Sequence, residues 1–280
     1  MGSCYENAQE RKAILSARGK ELNKLIYRTS FEEKLKLTLK TIKRALKYDR
    51  PVIASSFGKD SVVLIHMVHT INNKVPLVFN NTGVNFRETI KYMKELEELW
   101  HLKIYELKPE TNFWKIVEKY GYPKQSRNSK TGDSREPKCC KLLKYDPMKK
   151  FMKEYKPGVV FVGLCGDEGR QRRIAYLTKG DAVYYHVGDN VMKCIPIIWW
   201  TRKDVWKYHD INNIPRNPVY TKYNIERTGC ICCTGFIGWE KVMIKTFPKL
   251  YVKVATDIGR PPLESFVKTD RNAAGDFDTQ

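Results

Sequence analysis

The sequence predicts an α/β protein: a parallel sheet with helices on both faces, preceded by N-terminal helices and followed by a Cys-rich C-terminal element. Two observations predict this. Between residues 49 and 215, apolar runs of strand length alternate with longer runs of helical periodicity, the order expected when parallel strands are joined by helical crossovers. Outside that stretch the pattern changes. Residues 8–48 carry helical signals alone, while residues 216–280 accumulate Gly, Pro and Cys. The chain thus reads as an N-terminal helical segment (1–48), a central α/β domain (49–215) and a Cys-containing C-terminal element (216–280).

Each element follows from its residues. Leu22, Leu25 and Ile26, then Leu35, Leu37, Leu39, Ile42 and Leu46, recur at helical spacing. Thr29-Ser30 separates two helices, with Ser30 as the N-cap of the second. Residues 51–54 form a strand, 61–71 a helix, 75–79 a strand, 86–100 a helix and 103–107 a strand. A helix over 112–119 precedes a polar, Gly/Pro-punctuated stretch at 121–138, read as a loop or lid. A helix over 140–155 and a strand over 159–164 complete the alternation. The tail from about residue 265 is expected to be poorly ordered.

Fifty-one Lys and Arg stand against 31 Asp and Glu, a net charge of +20. Such an excess suits a polyanionic partner, nucleic acid first; a Lys-rich surface of the kind found in thermophiles is the plainer explanation. No apolar run approaches the length of a membrane span and no signal-peptide pattern is present, so no membrane partner and a cytoplasmic, reducing compartment are expected. There, clustered cysteines read as metal ligands or reactive thiols rather than disulfides.

The most informative stretch is Ser55-Ser56-Phe57-Gly58-Lys59-Asp60-Ser61, between the strand at 51–54 and an apolar helix. Unpaired amides at the helix start and the helix dipole both favour an anion there. Gly58 permits close backbone approach, Lys59 adds positive charge, and Ser56 and Ser61 add hydroxyls. The order is not that of a Walker loop, and an ordinary capped turn would also begin this way. Thr82-Gly83 follows a strand end, where ligands sit in open α/β sheets. Arg170, Arg172 and Arg173 form a cationic cluster suited to a triphosphate or a nucleic-acid phosphate, or else a solvated basic face. Trp199, Trp200 and Trp206 read as core, Asp204 as a helix-start residue, and His66 and His69 as structural.

Cys139-Cys140 and the C-x-x-C formed by Cys230 and Cys233 supply four soft thiolates, enough for tetrahedral zinc or an iron–sulfur cluster, and spacing alone does not separate the two. Cys232 could replace a neighbour or stay free. Cys4, Cys165 and Cys194 read as small buried residues, with Cys165 of interest because it lies in the arginine-bearing segment.

Four stretches resemble the PP-loop proteins of the phosphoadenosine-phosphosulfate reductase-like superfamily, with its adenine nucleotide alpha hydrolase-like fold. The first is the loop itself. The second, Val78 to Thr89, resembles the family's strand-D-T-G-x-x-F-x-E-T segment, with Asn81 in place of the usual Asp. The third, Gly163 to Arg173, is similar to G-x-R-x-x-E-S-x-x-R, with Gly166 and Gly169 in place of Arg and Ser. The fourth runs from Ile195 to Trp206 and on through Ile214-Pro215-Arg216-Asn217-Pro218. The resemblance implies ATP with Mg2+, bound through Ser55, Ser56, Gly58, Lys59, Asp60, Ser61, Thr82, Gly83, Glu88 and Glu168. It implies catalytic roles for Lys59, Asp60, Arg170 and Arg173. The run Lys138 to Pro147 is similar to the cluster-bearing branch, which implies a [4Fe–4S] cluster, ahead of zinc, on Cys139, Cys140, Cys230 and Cys233.

Two branches compete. A sulfonucleotide reductase makes sulfite and carries a cysteine nucleophile in its C-terminal tail, and here no cysteine follows Cys233. The DNA phosphorothioation branch is an ATP pyrophosphatase that activates a backbone phosphate for sulfur, and the positive charge suits DNA. The expected partners are therefore DNA, bound weakly and non-specifically, a cysteine desulfurase and other modification proteins. A persulfide acceptor on this chain would be Cys165, Cys194, Cys232 or Cys4. A third reading, tRNA thiolation, shares the loop and the charge.

Overall fold

The computed structural model describes residues 8–123, 137–235 and 238–260. The expected disorder of the tail and most of the expected loop at 121–138 lie outside the described residues. Contacts divide the chain into two compact units, neither continuous in sequence. One comprises the described residues of Met1–Asn80, Glu88–Leu107 and Met148–Pro218, and the other those of Asn81–Arg87, Lys108–Pro147 and Val219–Gln280. The N-terminal helices therefore group with the sheet, and two excursions from the middle of the chain group with the C-terminal element. Composition along the chain reveals no such non-contiguous grouping.

The first unit holds a six-stranded sheet in the order β3-β2-β1-β4-β6-β5. The strands are β1 (Pro51–Ser55), β2 (Leu77–Asn80), β3 (Ile104–Leu107), β4 (Val159–Val162), β5 (Val183–His186) and β6 (Val191–Cys194). All neighbours are parallel except the β5–β6 pair at one edge. Ala54 stands in register with Val78 on one side and Val162 on the other, so β1 is central. The chain leaves β1 toward β2 and β3, then returns to place β4 on the opposite side. This reversal opens a crevice beyond the strand ends, the usual ligand position in such sheets.

Alternation along the strands explains the two covered faces. Ile53, Leu77, Phe79, Val159 and Phe161 join the main core with Val62, Leu64 and Ile65 of α3 (Lys59–His69). The intervening Val52, Val78 and Val160 pack on the other face with Phe151 of the helix Asp146–Tyr155. Both sets are buried, as expected for parallel strands sandwiched by helices. The two N-terminal helices, α1 (Ala8–Tyr27) and α2 (Phe31–Ala45), add Leu22, Ile26 and Ile42 to the main core. Ser30 caps α2 in a reciprocal box with Glu33. Trp199 and Trp200 are buried, whereas Trp206 is partly exposed and lies under Arg216. Thr201 and Asp204 form the capping box of α9 (Arg202–Ile211). Strands β5 and β6 give a weak sequence signal, because each is four residues long and His186 and Lys193 interrupt the apolar positions.

The second unit is helical. α5 (Phe113–Tyr120) buries Phe113, Ile116 and Val117 against Val84, Leu143, Cys139 and Cys232. Lys138–Cys140 begins a helix that widens into a π-helical turn at Lys141–Tyr145, a departure often found at functional sites. α11 (Trp239–Thr246) and α12 (Pro248–Asp257) pack through Trp239, Met243, Tyr251 and Val254. Among the described residues no helix is long and apolar enough to cross a membrane.

Candidate functional site

In the first unit the chain turns sharply between β1 and α3. Phe57 adopts a left-handed backbone with φ of 52°, uncommon for a bulky residue, while Gly58 is extended at −80°. The left-handed position of the turn is thus taken by Phe57 and not by the glycine. The turn is held from several directions. Ser55 Oγ accepts from the Phe57 amide at 3.0 Å, and Ser61 Oγ donates to the Gly58 carbonyl at 2.9 Å, so both hydroxyls serve the turn itself. Ser56 is exposed at the turn. Buried Asn217 donates through Nδ2 to the Phe57 carbonyl and to Thr89 Oγ1, each at 3.0 Å. Buried His209 donates through Nε2 to the Lys59 carbonyl at 3.0 Å.

The charged centre lies at the first turn of α3. Lys59 Nζ is 2.7 Å from Asp60 Oδ2 and 2.5 Å from Glu168 Oε1, and Arg172 approaches the other Glu168 oxygen at 3.6 Å. Burial opposes the Lys59 charge, but the two carboxylates reverse this and hold the ammonium above the usual lysine value. Burial holds Asp60 above the ordinary carboxylate value, even against Lys59. Burial also works against ionised Glu168, yet Lys59 and Arg172 keep it below its ordinary value. Two carboxylates and a permanent cation at a helix N-terminus can bind a phosphate chain together with a hard cation.

The arginine-bearing segment divides in the structure. Arg173 is committed to the fold: it donates to the Gly166 carbonyl at 2.6 Å, to Asn23 Oδ1 at 2.8 Å and to Tyr27 Oη at 2.8 Å. Arg170 opens α8 (Arg170–Lys179) and is exposed. The departure at Gly166 has a steric reason, since a Cβ there would meet the Ile198 carbonyl at 2.5 Å. Cys165, fully buried, donates its thiol to Asp60 Oδ1 at 3.3 Å. Glu88, on α4 (Arg87–Leu99), belongs to this unit, whereas Thr82 and Gly83 belong to the second. His66 bonds Tyr208 and His69 bonds the Val75 carbonyl, both away from the loop.

In the second unit, Cys139, Cys140, Cys230 and Cys233 share one electrostatic neighbourhood. Hydrogen bonding to Cys140, then burial, then the charges of Cys140, Cys230 and Cys233 hold the Cys139 thiol far above its ordinary value. Lys144 is held above its ordinary value, chiefly by Cys230, with Cys140 and Cys233 adding to it against burial. Thr82 Oγ1 lies 3.6 Å from Cys230 Sγ, and Thr82 is itself held by Asn85. Gly83 carries a positive φ of 74°. Among the described residues, no three His, Cys, Asp or Glu side chains converge as the ligands of one metal ion do. Four soft thiolates of this kind are the donor set of either a tetrahedral zinc or an iron–sulfur cluster. Cys165, Cys194 and Cys232 are fully buried, and burial holds each thiol above its ordinary value. Cys4 lies outside the described residues.

Residues 50–236 match the phosphoadenosine phosphosulfate reductase domain. The chain belongs to this family. It is 32% identical over 215 residues to an uncharacterized protein of Methanocaldococcus jannaschii, covering 74% of this chain and 41% of that one. A second protein from that organism is 30% identical and is covered to 45%, so the chain spans less than half the length of these two relatives. The adenosine 5′-phosphosulfate reductase of Bacillus mycoides is 28% identical over 191 residues, covering 68% of this chain and 75% of the reductase. The phosphoadenylyl-sulfate reductase of Candida auris, solved with phosphate, superposes with a TM-score of 0.54 at 15% identity, over 82% of this chain and 98% of that one. The FMN adenylyltransferase of Candida glabrata gives 0.51 at 13% identity, over 79% and 69%. These structures share the α/β fold described above.

Asn217 and His209 were not among the sequence-predicted site residues. The Ile214-Pro215-Arg216-Asn217-Pro218 motif was the available signal for Asn217, but nothing in it says which carbonyl its amide supports. His209 carries no such signal.

Proposed function

We propose that this family member is a Mg2+-dependent ATP pyrophosphatase that activates an oxygen of a DNA backbone phosphate for replacement by sulfur. The observation that carries the reading is the Lys59 ammonium held between Asp60 and Glu168 at the N-terminus of α3. Mg2+ is usually held by one or two carboxylates plus substrate phosphates, so Asp60 and Glu168 would hold it, and it would neutralise charge on departing pyrophosphate. Lys59 and the first amides of α3 address the same phosphates. The buried supports, Asn217 and His209, keep those amides aimed without rearrangement during the reaction.

The chemistry balances in two displacements at phosphorus and one at sulfur. A backbone phosphate oxygen attacks the α-phosphorus of ATP, and pyrophosphate leaves. The outer sulfur of a desulfurase persulfide then attacks the adenylated DNA phosphorus, and AMP departs with the original oxygen. A second thiol, here excess cysteine, then cleaves the S–S bond to leave the phosphorothioate and a disulfide. The net charge of +20 favours a polyanionic acceptor. A [4Fe–4S] cluster on Cys139, Cys140, Cys230 and Cys233 would supply redox-active iron and sulfide, with Lys144 placing a positive charge beside those thiolates. Sulfur would come from a cysteine desulfurase. The test is anaerobic incubation with ATP, Mg2+, duplex DNA, a cysteine desulfurase and cysteine, followed by mass spectrometry of digested DNA. Phosphorothioate dinucleotides support the reading; DNA without sulfur, beside active protein, contradicts it.

The Bacillus relatives named adenosine 5′-phosphosulfate reductase favour a second reading, reduction of a sulfonucleotide to sulfite. That chemistry makes no pyrophosphate, which separates the two.

A further inference from the structure

We propose that the exposed surface of α5, from its outer face to its C-terminal end, binds single-stranded DNA, with Trp114 and Tyr120 as stacking platforms and nearby lysines as phosphate contacts. The proposal rests on the nucleic-acid reading above and assigns it a surface. α5 is sharply two-faced: Phe113, Ile116 and Val117 are buried, whereas Trp114, Lys115, Glu118, Lys119 and Tyr120 are exposed. On such a helix the outer face normally carries small or charged side chains. α5 exposes two large rings, Trp114 39% on its outer face and Tyr120 49% at its C-terminal end, about 120° apart round the helix axis.

Each ring is paired with cations. Lys253 Nζ lies 5.7 Å from the Trp114 ring centre. Lys119 and Lys138 lie 5.3 and 5.7 Å from that of Tyr120. Lys253 also pairs with Asp257 at 3.0 Å, but both groups are well exposed, so this bond competes weakly with a phosphate. Rings flanked by lysines offer a base face and a phosphate contact together, the combination that recognises unpaired strands. A duplex keeps its bases stacked and can use only the lysines. The charge complementarity and the two rings thus select a single strand as the occupant.

Fluorescence anisotropy of labelled oligo(dT) with the full chain tests this. We expect W114A and Y120A each to weaken binding about ten-fold, with W114F close to the native protein. Replacing Lys119 and Lys253 together with Gln lowers the slope of log affinity against log salt by about 1.4. Duplex DNA of equal length binds more weakly and is insensitive to the ring variants. Circular dichroism and thermal melting show whether each variant is folded. Unchanged oligo(dT) binding in folded W114A/Y120A overturns the proposal, as does an equal loss for duplex, tighter binding of oligo(U) than of oligo(dT), or no binding by the native chain. AMP and pyrophosphate release from ATP is measured separately without oligomer. If release persists while ring-dependent binding is absent, this surface alone is wrong; if binding persists and release is absent, the pyrophosphatase reading alone is wrong.

Discussion

The side-chain amide of Asn217 donates to the main-chain carbonyl of Phe57 at 3.0 Å, joining two residues 160 positions apart. It pins the one left-handed residue of the loop. Asn217→Ala removes a buried donor from two acceptors, Phe57 O and Thr89 Oγ1, and is expected to cost about 1–3 kcal/mol. Released from its anchor, Phe57 relaxes and the amides at the start of α3 lose their aim. Urea denaturation and nucleotide titration check the two effects. Native ATP affinity in a folded Asn217→Ala protein would contradict the positioning role.

Lys59 and Glu168 are expected to be strongly non-additive. Lys59→Met leaves two carboxylates facing each other with little exposure, and breaking a buried pair in this way costs about 3–5 kcal/mol. Adding Glu168→Gln removes one of those charges and restores part of the stability. Nucleotide cleavage stays lost in both. A double-mutant cycle in denaturant gives the coupling, and simple additivity would refute the arrangement.

Three histidines, His209 buried and His66 and His69 half-buried, set a pH limit. Burial holds His66, His69 and His209 below their ordinary value of 6.5. The unfolded chain then takes up protons at a pH where the folded chain does not. Stability is full above about pH 6.5 and falls as pH drops below it, by at most about 1.4 kcal/mol per pH unit for each histidine. Denaturation midpoints at pH 7.5 and 5.5 check the sign. Equal midpoints would contradict it.

The thiol neighbourhood predicts an oxygen-sensitive centre. Protein prepared without oxygen should be brown and carry about four irons with matching sulfide per chain. Cys139→Ser and Cys230→Ser should each lower iron content sharply, while Cys194→Ala, buried in the other unit, should not. Stoichiometric zinc without iron would replace the cluster with a structural zinc site.

Much of the fold was legible because its signals are local. The runs around Val52, Val78 and Val160 had strand length and turn boundaries, and the Ser30 and Asp204 caps were readable from single residues. Strands β5 and β6 escaped because each holds four residues and His186 and Lys193 cut their apolar runs short. At the site, residue types were legible but commitments were not. Arg173 looks like a phosphate ligand in sequence, yet Gly166, Asn23 and Tyr27 occupy its guanidinium. Ser61 looks like a free donor, and the resemblance makes Ser55 a nucleotide ligand, yet both close the turn. Such assignments depend on partners up to 160 residues away, as between Phe57 and Asn217, which local pattern does not encode.

The most direct test of the central claim is product analysis under anaerobic conditions, with ATP in one arm and adenylyl sulfate or its 3′-phosphorylated form plus a thioredoxin-type reductant in the other. The Lys59–Asp60–Glu168 centre predicts Mg2+-dependent release of AMP and pyrophosphate from ATP, abolished by Lys59→Met, and no sulfite in the second arm. Sulfite from the sulfonucleotide, with ATP left intact, would contradict it and make this chain a reductase.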